Sequence, residues 1–499
     1  MIQDLKTLAI VLTLGSLAFI VGKRFWLQVM SQEDFRLRRN AWFGLTILAF
    51  LSPSFLLFCL IAAPILVWLG QRDSNPLALY VLLLHIIPPV SVYIPLVGAG
   101  YLIDFNNYRL LTLTVLLPYA WKLMHTRQTE KLRQPGLGLP YFLIFCFSAL
   151  QIIQLIPLES LTNTFRRLLL VFLDSILLVY AFSRGASSEQ KIREILGTCA
   201  LIMAVAAPIA MFESLRGWLM YENVVRNWGI PMDFAFLMRG NSLRAQASTG
   251  HALVLGYMTA IAFGVWLYLA RYLKVSKFQL IAGSIWFWVG LIAAYSRAPW
   301  LTAVLIPFVF VFLLPRGMIQ AIKMGILATI GGSVILALPL GGRIVASLPF
   351  IGTIDTENVT YRQRLAEASW DLVMQYPVFG TPRALEYLEH LRQGQGIIDL
   401  VNVYATVAVF HGLVGLSLFC GYFLISLFRT WSTTALFRKT DPAFSSLGAC
   451  LVALLLGTYF FMATGSFGTG LAQMAWILSA LGLAYARLQP SNNNSQSNA

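Results

Sequence analysis

The chain has 499 residues, of which 58% are apolar and only 11% charged, and its mean hydropathy of +0.72 excludes an ordinary soluble globular protein. A formal charge of +15 invites a nucleic-acid reading, but the Lys and Arg residues gather in alternate linkers between apolar runs, as the positive-inside bias predicts, and no nucleic-acid partner is expected. The apolar runs match a hydrocarbon core of about 30 Å, so the expected fold is an all-α polytopic membrane protein.

In chain order the candidate spans are 7–22, 40–53, 55–71, 77–97, 107–121, 137–153, 167–183, 196–212, 250–270, 279–295, 298–314, 322–340, 403–428, 444–461 and 470–486, fifteen in all. The first is followed by Lys23 and Arg24 and lacks a basic leader and a small-residue cleavage site, so it reads as a retained helix. Pro53, Pro64, Pro88, Pro89, Pro95 and Pro118 interrupt the early spans, and each removes a helix donor, which predicts kinks or re-entrant breaks. Cys59, Cys146, Cys199, Cys420 and Cys450 all fall within apolar runs without close pairing and read as small core residues. The segments organise as N-terminal helices over 1–199, a core over 200–430, C-terminal helices over 431–489 and a polar, Asn- and Ser-rich tail over 490–499 expected to be disordered.

Linkers carrying Lys23 to Arg39, Lys122 to Arg133, Arg184 to Arg193, Arg271 to Lys277, Arg316 to Lys323 and Arg429 to Lys439 are expected on the cytoplasmic side. Alternation then places two long polar segments, 213–249 and 341–402, together on the outer face. The first mixes Trp218, Tyr221, Trp228 and Phe234 with Arg216, Arg226, Arg239 and Arg244. The aromatics fit an interfacial helix, and arginines against the general charge bias fit anion binding. In the second, Leu365, Ser369, Leu372 and Val373 fall near helical spacing before a stop at Pro377, with Arg362 and Arg364 near the start.

Several residues in these segments carry candidate chemistry. Arg297, between two spans on the outer side, is a charge near a bilayer boundary that needs water, a partner or an anionic ligand, with snorkelling as the competing explanation. Together with Arg244 it offers two guanidinium forks, a match to a diphosphate. Glu213, Glu367 and Asp399 are the candidate general bases, and His251 is a further candidate set against a structural role. Asp399 reads either as chemistry or as the N-terminal cap of the next span, where Asn402 and Tyr404 stand ready to orient a polar substrate. His411, inside that span, reads as a buried hydrogen-bonded residue. No metal-ligand spacing and no GxxxxGK loop occur, so neither a metal nor ATP is expected.

SRAPW at 296–300, RAQASTGHALVLGY at 244–257, YRQRLAEASWDLVMQYPVFGTP at 361–382, and Asp399, Asn402, Tyr404, Gly412 and Gly415 within 396–419 together resemble the O-antigen ligase and polysaccharide polymerase superfamily. The pattern is most similar to exopolysaccharide polymerases. The ligases typically carry a histidine before the Asn of an Asn-x-Tyr element; here that place is Val401, and His251 is followed by Ala252 where proline is usual. The resemblance implies a GT-C-like membrane glycosyltransferase with a large helical outer-face loop. It implies a polyprenyl-diphosphate-linked glycan as donor and a glycan hydroxyl as acceptor, transferred with inversion and without metal or soluble cofactor. Arg244 and Arg297 would hold the diphosphate, Arg362 or Arg364 would close from the loop, and Glu367 or Asp399 would handle the acceptor proton. A flippase and chain-length or export proteins are the implied partners. Transfer of a finished glycan to a lipid or protein acceptor is the nearest rival, and a glycan transporter the non-enzyme one; the latter predicts internal repeats, and none is evident.

Overall fold

The structure, a computed structural model, describes residues 2–96, 100–126, 137–230, 237–239, 242–337, 356–392, 398–466 and 470–488. The tail at 490–499, Phe234 and the first part of the 341–402 segment lie outside them. The protein is a polytopic helical membrane protein. Eight of the described helices are long and apolar enough to cross a bilayer: Gln3–Trp26, Phe55–Arg72, Gly138–Leu155, Leu161–Gly185, Glu189–Arg216, Ala252–Tyr272, Val403–Leu436 and Pro442–Met462. Lys277–Ala293, Arg297–Leu313 and Leu471–Tyr485 are shorter apolar helices.

For reference in chain order, α1 is Ile2–Trp26, α2 Gln32–Leu51, α3 Phe55–Arg72, α4 Pro76–Leu83, α5 Asn107–Leu111, α6 Leu117–Thr126, α7 Gly138–Leu155, α8 Leu161–Val171, α9 Leu177–Gly185, α10 Glu189–Arg216 and α11 Glu222–Asn227. They are followed by α12 Ala252–Tyr272, α13 Lys277–Ala293, α14 Arg297–Leu313, α15 Gly317–Ala337, α16 Thr356–Gln375, α17 Ala384–Tyr387, α18 Val403–Leu436, α19 Pro442–Met462 and α20 Leu471–Tyr485.

Burial sorts these helices by position. The most apolar stretches of α10, α12 and α19 are 83%, 89% and 78% buried, whereas those of α7 and α3 are 22% and 33% buried. The first three therefore form the centre, and the others turn their apolar sides toward lipid. One large core runs from Leu8 to Tyr485, and a smaller second cluster joins α16 and α17 to α18.

The expected span at 77–97 is not a span. α4 ends at Leu83, and after Pro88 and Pro89 the chain forms an antiparallel hairpin, β1 Ser91–Leu96 with β2 Gly100–Asn106, whose register slips between Ile94 and Pro95. Two adjacent prolines lack the N–H groups a helix would need there. A second, two-residue hairpin pairs β3 Met238–Arg239 with β4 Ser242–Leu243. The span at 107–121 joins α5 to α6 through a π-helical turn at Thr112–Leu116, and α8 joins α9 through another at Phe172–Ile176.

At one end, Arg38 of α2 ties three helices together. Its fully buried guanidinium makes a two-pronged pair with Asp73 at 2.6 and 2.8 Å, and meets Glu194 of α10 at 2.7 Å. A buried charge of this kind holds only when each prong is answered.

Candidate functional site

The opposite end is built around the corner between α13 and α14. The corner is tight: Ala294 donates to Gly290 O, Tyr295 donates to Ile292 O, and Tyr295 takes a left-handed φ of 45°, unusual for a residue with a side chain. This geometry presents the Tyr295 carbonyl, Ser296 and Arg297 side by side. Residues 237–239 and 242–249 lie along them. Arg239 donates to Tyr295 O at 3.0 Å with its guanidinium over the Tyr295 ring, Arg244 donates to Ser296 Oγ at 3.3 Å, and Ala245 N donates to Ala293 O at 3.0 Å.

Glu213 fixes that segment from below. Its buried carboxylate, at the end of α10, accepts from the backbone N–H groups of Met220, Gln246 and Ala247 at 2.8, 2.9 and 2.7 Å. Read from sequence as a candidate base, Glu213 is a brace whose acceptor capacity goes to the loop that carries Arg244. Farther along, Ser248 donates to His85 O at 2.5 Å.

His251 caps α12, its Nδ1 accepting from Leu253 N at 3.1 Å. With Nδ1 accepting, the neutral ring carries its proton on Nε2 and serves as a donor. Burial and then the charge of Arg244 push its pKa down to about 4, against the pull of Asp399. The ring is neutral at pH 7.

Asp399 comes in from the second long segment. Its Oδ1 accepts from Val401 N at 3.0 Å and its Oδ2 from Ser466 Oγ at 2.8 Å. It is not the cap of the following helix. Asn402 fills that role, accepting from Ala405 N at 3.1 Å, because its side chain stands one residue before the first helical position, where a short acceptor reaches the third N–H. Arg362, on α16, shares the electrostatic field of Asp399, Arg239 and Arg297. The residue is exposed, yet desolvation by surrounding protein holds its pKa below the ordinary arginine value; Asp399 opposes that shift, and Arg239 and Arg297 add to it.

The structure therefore brings together Arg244, Arg297, His251, Asp399 and Arg362, and adds Arg239, Ser296 and Ser466. The other expected site residues stand elsewhere. Glu367 is exposed on α16 and accepts from Gln363 one turn back at 3.0 Å. Arg364 and Arg216 are exposed. Tyr404 donates to Tyr459 O at 3.0 Å and serves helix packing. Two of the aromatics expected at a headgroup interface are inside: Tyr221 is 2% and Trp228 8% exposed, and the Trp228 indole donates to Ser52 O at 2.9 Å, while Trp218 is half-buried. The pairing of Asp399 with Ser466 had no sequence signal, since the partners are 67 residues apart.

α16 packs as its periodicity predicts, with Leu372 and Val373 against Ala408 and Val409 of α18. The chain then enters a break in α18. At Gly412 the helix takes φ 64° and ψ −168°, and the freed N–H groups of Leu413 and Val414 donate to Pro377 O at 2.8 Å and Val378 O at 3.1 Å, while Thr381 N donates to Val409 O at 3.0 Å. Gln154 of α7 completes the clasp, donating to Phe379 O and pairing with His411 Nδ1 at 2.6 Å. Such a break is stable in a membrane protein only when every freed backbone group finds a partner.

Fold and site together define a class: a polytopic helical membrane protein with an arginine-rich polar site at one end of its bundle. Among the described residues no group of three or more His, Cys, Asp or Glu side chains is placed to hold a metal ion. No protein-family model matches the chain, and no curated protein matches it.

Proposed function

We propose that this protein is a membrane glycosyltransferase that polymerises polyprenyl-diphosphate-linked oligosaccharide repeat units at the outer face of a bacterial cytoplasmic membrane. The observation that carries the reading is the convergence of Arg244 and Arg297 on one corner, with Arg362, Asp399 and His251 around it. Guanidinium groups from separate segments suit a diphosphate, whose charge grows as it leaves. In this reading an acceptor hydroxyl attacks the anomeric carbon. The bond to the diphosphate oxygen breaks with its electron pair going to the diphosphate, and the hydroxyl proton passes to Asp399. Arg244, Arg297 and the Nε2–H of His251 stabilise the departing anion. Ser466 and Val401 hold the Asp399 carboxylate in place by donating to it, and Arg362 closes over phosphate or sugar from the loop.

The test is transfer by the purified protein in lipid, without metal, from a polyprenyl-diphosphate-linked repeat unit of its own host, with products sized on a gel. A ladder of increasing length is the expected result. A single shift appearing only with an added lipid or protein acceptor makes the protein a ligase, and no transfer under either condition removes the enzyme reading.

A further inference from the structure

The clasp at Gly412 also locates the protein in the bilayer. α18 has 34 residues, divided by the break at Gly412. The part after the break, Leu413–Leu436, covers about 36 Å by itself and is sufficient to cross. The break thus stands near the level where hydrocarbon gives way to headgroups, and the Pro377–Gly380 turn that fills it stands at the same level.

The side chains around the clasp are apolar and bare. Val378 is 54% and Phe379 55% exposed, next to Leu413 at 51%. Flanking the Gln154 that grips the turn, Ile153 on α7 and Ile156, just past its end, are 62% and 51% exposed. α7 and α18 are among the less buried spanning helices, 22% and 39%, so the turn continues their lipid-facing surface. In water this apolar surface stays hydrated, and contact with acyl chains removes it from water.

We infer that the Pro377–Gly380 turn is a membrane anchor, with Val378 and Phe379 seated in the boundary between acyl chains and headgroups. The occupant of this surface is the bilayer itself, as the continuity with α7 and α18 specifies. The anchor has a structural consequence: α16 is pinned to the lipid surface at its Gln375 end while Arg362, near its other end, stands in the arginine site. The inference rests on the membrane-spanning helices and holds whatever reaction the site performs.

Single cysteines at Phe379 (F379C), Val378 (V378C) and, as a water-facing control, Glu367 (E367C) would be labelled with a nitrobenzoxadiazole fluorophore and reconstituted into phosphatidylcholine vesicles with or without brominated acyl chains. The unsubstituted protein, with its five cysteines, is carried through the same labelling to set the background. Blue-shifted emission that bromolipid quenches at 378 or 379, and unquenched emission at 367, is the expected result. Water-like, unquenched emission at both 378 and 379 overturns the anchor. Because V378C and F379C are read separately, loss of folding in one leaves the other to decide.

Discussion

Arg297 and Arg244 are placed by different kinds of backbone: Arg297 opens α14, so its charge is positioned by the helix itself, whereas Arg244 sits on a hydrogen-bonded loop. Replacing either arginine by alanine should reduce transfer about a hundredfold, corresponding to about 3 kcal/mol of transition-state stabilisation, with the amount of membrane-inserted protein unchanged. Lysine should restore only part of the rate, since it keeps the charge and loses the planar fork; initial rates of polymer formation check both. His251 sets a second test. Its folded pKa of about 4 lies below the ordinary 6.5, so the unfolded chain binds the extra proton first. The stability of the neutral ring is complete above about pH 6.5 and is lost as the pH falls through about 4. His251→Asn keeps a capping side chain and removes the titration. The thermal midpoint of the natural protein should therefore fall more steeply than that of H251N between pH 7 and pH 4.5.

Among the elements, the broken α18 makes the sharpest demand on sequence. A methyl group at Gly412 would collide with the Val378 carbonyl and lie 2.5 Å from Gly380 N, and the backbone there is already at positive φ. Gly217 shares the positive φ of 61° and has open space around it. Alanine at Gly217, in left-handed helical geometry, should cost about 1 kcal/mol and alanine at Gly412 at least about 2 kcal/mol more, since only the second both occupies a glycine-only backbone region and overlaps the docked turn. Thermal melts of the two variants in detergent decide this. The same element shows what sequence could and could not supply. The stripe of Leu365, Leu372 and Val373 and the stop before Pro377 were readable, because a helix that packs on one side must repeat its apolar residues. The break at Gly412 was not, since an apolar run with Gly412, Gly415 and Gly421 spaced along it is equally a straight helix. Its cause is the turn that fills it, contributed by a separate stretch of chain. The error at 77–97 has a related origin: hydropathy registers apolar content, whereas Pro88 and Pro89 decide whether the backbone can be a helix.

At the scale of the molecule, the two ends of the bundle are chemically distinct. One holds the Arg38, Asp73 and Glu194 network beside the linkers rich in Lys and Arg; the other holds the arginine site and the clasp. The positive-inside bias predicts that the first end faces the cytoplasm. Cysteines placed at the exposed positions Lys439 (K439C) and Glu386 (E386C) should therefore differ in intact spheroplasts. A membrane-impermeant thiol reagent should label E386C before lysis and K439C only after it, and the reverse pattern would invert the topology. The grouping of five candidate residues at one end was legible because polar segments between apolar runs are few, and alternation puts them on one side. Their contacts with Ser296 and Ser466 became visible only once helices distant in sequence were packed together.

The clasp also has a place in the order of biosynthesis. Synthesis runs from the N-terminus, so α7 with Gln154 and the Pro377–Gly380 turn are both made before α18 leaves the ribosome. The receptor for the broken helix exists before the helix does. Asp399, on the segment leading into α18, accepts from Ser466, which follows α19 in the chain, so the residue that holds this carboxylate is made only after α18 and α19.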